Sequence, residues 1–128
     1  MGNRIGTNAA GDAAVANGSG GVLVEQEAYY NIIGVADAGN VISGNDGPGV
    51  RIDGTGSDYT SIGENLIGVA ADGTTPLPNA GPGVEISGGP DSSYIYDNVI
   101  AHNAGDQWIR AFGGSPSAAP TPPSTDAR

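Results

Sequence analysis

The chain contains no cysteine. Disulfides and thiolate metal sites are therefore excluded, and thiol usage says nothing about redox compartment. Lysine is absent as well: four arginines stand against fourteen acidic residues, for a formal net charge of −10. Nucleic acid and anionic membrane surfaces both require a basic footprint, which this composition does not provide. Aromatics make up only 5% of the residues, too few for an ordinary two-layer core. His102 is the only histidine, so there is no histidine cluster for a metal, and no motif sets it in a Ser-His-Asp triad. Apolar runs are all too short to span a bilayer, and the opening "MGNRIGTNAAG" lacks the apolar stretch of a signal peptide. What the balance does fit is a self-repelling acidic surface, or Ca²⁺ held by carboxylates.

Glycine is abundant, at 23 of 128 residues, and asparagine recurs in phrase. "NRIGTN" at 3, "NVISGN" at 40, "NLIGVA" at 65 and "NVIAHN" at 98 share Asn, a variable residue and Ile. A second phrase follows each of the first three: "NGSGGVLV" at 17, "NDGPGVRI" at 45 and "NAGPGVEI" at 79. A third apolar point comes at Ile33, Ile62 and Ile95. Each cycle thus holds three short β-type stretches separated by Gly, Asn, Asp and Pro turn chemistry.

Three short strands per cycle are what one coil of a parallel β-helix needs, each strand pairing with its equivalent about 4.8 Å above. Ile5, Ile42, Ile67 and Ile100 then form one inward ladder. Val22, Val50 and Val84, with Val24, Ile52 and Ile86, form a second, and Ile33, Ile62 and Ile95 a third. Leu23, Arg51 and Glu85 alternate outward, which makes Arg51 and Glu85 an opposite-charge cross-strand pair. Asn3, Asn40, Asn65 and Asn98 mark a shared corner: Asn tolerates a bend there, and stacked amides bond along the ladder. The interval from first to second Asn is 14 residues in coils one and three but 5 in coils two and four. The odd coils therefore carry insertions that project as paired loops, a common placement for a working face.

The expected organisation is one domain over 1–114, an all-β parallel β-helix of about four coils with three strands each (3–39, 40–64, 65–97 and 98–114). A Pro/Ser/Ala-rich tail, 115–128, reads as a linker or disordered end. In coil four Gln107 takes the Gly position and Trp108 the Val position, unless two residues are inserted and Ile109 is inward. Trp108 and Phe112 either cap the open end of the column or repack locally. Met1 opens mid-repeat, which fits an unusual gene or a piece of a longer, exported protein.

"GNVISGNDGPGVRIDG" and "ENLIGVAADGTTPLPNAGPGVEISG" resemble the right-handed parallel β-helix repeats of large bacterial surface or secreted proteins. The resemblance covers residues 3–112. It implies the fold and an extracellular or cell-surface setting, but it selects no activity, because that superfamily includes adhesin-like modules as well as carbohydrate-active enzymes. No catalytic motif of a named enzyme family matches, so no catalytic residue is assigned.

Stacking brings equivalent carboxylates into register. Glu25 and Asp53 both follow the second strand, and Glu64 and Asp97 both precede a corner Asn; these four are the candidates for Ca²⁺. Tyr30 and Tyr59 occupy equivalent positions and are candidates for a sugar-stacking platform. The reading that follows is a non-catalytic structural or interaction module that self-associates end to end, or is continued by the rest of a longer chain. The alternative is a carbohydrate-binding or carbohydrate-active solenoid, with Ca²⁺. Neither reading involves nucleic acid or membrane insertion.

Overall fold

The computed structural model describes residues 2–90, 92–105 and the backbone of 108–110. Gln107, Phe112 and the tail 115–128 lie outside the described residues. The strands are β1 (Arg4–Ile5), β2 (Val22–Val24), β3 (Ile32–Ile33), β4 (Val41–Ile42), β5 (Val50–Asp53) and β6 (Ser61–Gly63). They continue with β7 (Leu66–Ile67), β8 (Val84–Ser87), β9 (Tyr94–Tyr96), β10 (Val99–Ile100) and β11 (Trp108–Arg110). All pairings between them are parallel and join each strand to the one three places on. Sheet one has the order β1-β4-β7-β10, sheet two β2-β5-β8-β11 and sheet three β3-β6-β9. The fold is a parallel β-solenoid.

Register places the apolar residues as the repeat requires. Ile5, Ile42, Ile67 and Ile100 align in sheet one, and Val22, Val50 and Val84 align in sheet two beside Val24, Ile52 and Ile86. Ile33, Ile62 and Ile95 align in sheet three. These residues form one core cluster, with Ile42, Ile52, Ile62, Ile67 and Ile100 fully buried and Ile5 and Val22 only partly so. In coil four the backbone register sets Trp108 opposite Val84 and Arg110 opposite Ile86, the first of the two alignments considered.

The corner differs from expectation. None of Asn3, Asn40, Asn65 or Asn98 has a left-handed backbone; the preceding residue takes it instead, at Glu64 (φ 63°) and Asp97 (φ 50°). Asparagine is therefore required at the corner for its side-chain amide, not for its backbone tolerance. At the equivalent place in coil one, Gly39 abuts the Glu64 carbonyl, leaving no room for a Cβ.

The two insertions form small antiparallel excursions, bridged at Thr7–Ala14 and Val69–Pro76. Coil two has no insertion, and the loops meet across it. The Ala71 amide donates to the Gly11 carbonyl (2.8 Å), and the Gly44 amide to the Leu77 carbonyl (3.1 Å). Ser43 Oγ, fully buried, donates to the Val69 carbonyl and accepts from the Gly68 amide. Beneath the loops, Val69, Val99 and Ala101 form a second apolar cluster with Leu66, so the outer side of sheet one is itself partly covered.

The tip of the second loop is held by Asp72. Its Oδ1 accepts the amides of Thr74 (2.9 Å) and Thr75 (2.8 Å), and its Oδ2 accepts the Thr75 hydroxyl. Those bonds, the hydroxyl first, lower its pKa from 3.8 to about 2. Because the folded value is depressed, the stabilisation they give is present above about pH 4 and is lost as pH falls through about 2. In a carboxyl-carbon NMR titration, the Asp72 midpoint should fall near 2, well below those of ordinary exposed aspartates. Exchange of the Thr74 and Thr75 amides should accelerate over the same range.

Candidate functional site

Two columns of asparagine, not one, flank sheet one. In the first, Asn3, Asn40 and Asn65 each donate both their backbone N–H and Nδ2 to the Oδ1 of the next rung, at 2.9–3.0 Å, ending on Asn98. Asn17, Asn45, Asn79 and Asn103 repeat the arrangement at the other corner, Nδ2 to Oδ1, at 2.8–2.9 Å. Remaining Nδ2 hydrogens reach backbone carbonyls inside the coil, as from Asn65 to Ile33, Asn98 to Ile62 and Asn79 to Ile42. Asn65, Asn79 and Asn98 are fully buried. The second column coincides with the second phrase of the repeat, "N…GV". Its signal in the sequence is the Asn that opens that phrase, at 17, 45 and 79.

Sheet two shows why glycine precedes the inward valine. A Cβ on Gly21 would lie 2.5 Å from both the Gly49 carbonyl oxygen and Ile42 Cγ2, and one on Gly49 would meet the Gly83 oxygen at 2.6 Å. The ladder amides and the core isoleucines occupy the space. Outside this wall Arg51 stands 3.9 Å from Glu85 and 3.8 Å from Asp53. These long, solvated contacts contribute little to stability.

The four carboxylate candidates are distributed as follows. Glu25 and Asp53 directly follow Val24 and Ile52, which are register partners. Asp53 Oδ1 accepts the Ser87 hydroxyl at 2.9 Å, so part of this carboxylate serves the strand end. Glu64 and Asp97 directly follow Gly63 and Tyr96, also partners, and share the left-handed turn. Among the described residues, no group of three or more His, Cys, Asp or Glu comes together to hold a metal ion. His102 is exposed with φ 62°, at the position that Gly44 (φ 75°) takes in coil two.

Tyr30 and Tyr59 stack with ring centroids 4.9 Å apart and planes 13° from parallel. Both have left-handed backbones, as does Ser92 at the same place in coil three. The rings face each other along the column, so their shared faces are occupied, and Tyr29 meets Tyr30 edge-on. The tyrosines of β9 complete the group. Tyr94 lies in register with Ser61 and Ile32, and the ring of Tyr96 rests over Gly63. All five tyrosines of the chain are thus exposed on sheet three or the turn leading into it. The alternation in "YIY", 94–96, carried this signal, since Ile95 is buried and both neighbours face out.

A shallow cleft of about 190 Å³ lies at the rim of coil one, between residues 19–23 and the side chains of Pro48 and Arg51. Among the described residues no helix is long and apolar enough to cross a membrane. No family model matches the chain, and no curated protein or solved structure matches it either.

Proposed function

We propose that the chain is a non-catalytic structural and interaction module, of the bacterial surface or secreted kind that its repeat phrases resemble, and that it associates end to end through coil one. The rim of coil one, which a second copy or further coils of a longer chain would continue, carries the reading. β1, β2 and β3 are all terminal strands, each at the same end of its sheet. Ile5 and Val22 are half-buried, whereas their ladder partners Ile42 and Val50 are fully buried. Among the described residues, Oδ1 of Asn3 and of Asn17 accepts no hydrogen bond, although every rung beyond them accepts one from the coil before. Unpaired strand edges over an apolar cross-section template further pairing, and solenoids need their ends covered. A second copy stacked on this rim would continue the sheets and supply donors to both waiting oxygens.

Light scattering across a wide concentration range tests this. The molar mass of the wild type should climb with concentration, while Asn3→Lys/Asn17→Lys, which removes both acceptors at exposed positions, stays monomeric. A wild type that remains monomeric throughout overturns end-to-end association. The alternative, a Ca²⁺-assisted carbohydrate-binding solenoid, has less support. Tyr30 and Tyr59 spend their facing surfaces on each other, and Asp53 is engaged by Ser87.

A further inference from the structure

Sheet three differs from the other walls of the column. Seven of the nine most exposed large apolar side chains among the described residues lie on it or on its flanking turns. Monomeric proteins rarely leave such residues contiguous unless something docks there. The same sector, residues 25–39, 54–64 and 88–97, carries Glu25, Glu27, Asp37, Asp58, Glu64 and Asp97 among its described residues. It contains no arginine, and the chain has no lysine. Arg4 sits in sheet one, and Arg51 and Arg110 in sheet two. The tyrosines thus share one side with six of the eleven described carboxylates and no described cation, while Arg4, Arg51 and Arg110 lie on the other two walls.

That combination defines the partner's chemistry. Tyrosine rings attract cations through their negative faces, arginine more often than lysine. Carboxylates at the margins add charge complementarity and repel anionic partners. Geometry favours an extended peptide. Tyr94 and Tyr96 both point outward from one strand, two residues and about 6.6 Å apart, which is the spacing of alternate side chains on another extended chain. Small residues at Ser61 and Gly63, in register beside them, keep the strip low. We propose that the outer face of sheet three docks an extended, arginine-bearing segment of a partner protein, its guanidinium groups stacking on Tyr94 and Tyr96 and pairing with the flanking carboxylates. This site is independent of the coil-one rim, and no described residue covers it.

The probe is a synthetic nona-arginine peptide, titrated calorimetrically at low and at moderate salt. Wild type should bind, and more weakly as salt rises. Tyr94→Ala/Tyr96→Ala should lower affinity about tenfold, two modest cation–π contacts being lost. Because any acidic protein attracts such a peptide, two variants of equal charge change separate the face from net charge. Glu64→Gln/Asp97→Asn, beside the face, should weaken binding about as much as the tyrosine pair. Asp12→Asn/Asp46→Asn, between sheets one and two, should leave it within about twofold. Far-ultraviolet dichroism confirms that each variant keeps its sheets. Equal losses from both acid pairs, or tyrosine variants that bind like wild type, would overturn the proposal. So would a neutral oligosaccharide that binds the face while the peptide does not.

Discussion

Replacing Asn65 by alanine should cost about 4 kcal/mol of folding free energy, a large part of the stability of a domain this size. The side chain is fully buried and serves as a double acceptor and a double donor. Its Oδ1 receives the N–H and Nδ2 of Asn40, while its Nδ2 reaches Asn98 Oδ1 and the Ile33 carbonyl. Alanine would leave the two buried donors of Asn40 without partners, each at about 1–3 kcal/mol, and would remove one hydrogen bond from the Ile33 carbonyl. Aspartate would not rescue it, because a carboxylate keeps the acceptor, loses the donors and buries a charge. The same change at the exposed rung, Asn3→Ala, should cost less than about 1 kcal/mol, since only one donated side-chain bond is lost and water replaces it. Urea denaturation of the two variants measures the difference. Equal effects at the two rungs would mean that the amide columns do not contribute in proportion to their burial.

Gly49→Ala should also destabilise strongly, by about 3 kcal/mol, although glycine-to-alanine changes usually stabilise where the backbone permits them. The backbone here is not left-handed, so conformational strain is not the cause. The added methyl would sit 2.6 Å from the Gly83 carbonyl oxygen, 2.7 Å from Ile67 Cγ2 and 3.1 Å from Asn79 Nδ2. The first of these is backbone in the next coil and cannot swing aside, so relief requires prising two coils apart. Gly18→Ala is the control. A Cβ there has no neighbour within 4 Å, and its midpoint in thermal melting should match or slightly exceed that of the wild type.

The contrast between these glycines also shows where sequence reading succeeds and where it stops. Period and residue type reveal the columns: Ile42 over Ile67, Val50 over Val84 and Arg51 over Glu85 follow from aligning phrases. Alignment also finds the loop pair, because 14 against 5 residues between asparagines leaves no other place for the excess. It does not say what a recurring spacing is for within the coil. Gly49 and Gly18 are both glycines in turns on paper, and only three-dimensional contact distinguishes them. Likewise the bend at the corner passes to Glu64 and Asp97, residues chosen by sequence for their charge. The tyrosines show the same limit. Tyr30 and Tyr59 are visibly equivalent, but that they stack face to face, and that Tyr94 and Tyr96 join them on one wall, depends on coil geometry.

The loops that meet over coil two set a parity on the column. An excursion from coil one bonds to one from coil three because the intervening turn is bare, with Gly44 lying between Ala14 and the Leu77 carbonyl. The translational unit of this solenoid is therefore a long coil plus a short one. Removing coil two alone would bring the two excursions onto adjacent levels, where one was built to clear the other. Removing or duplicating a long–short pair would preserve the alternation, and the protein can be lengthened or shortened by even steps.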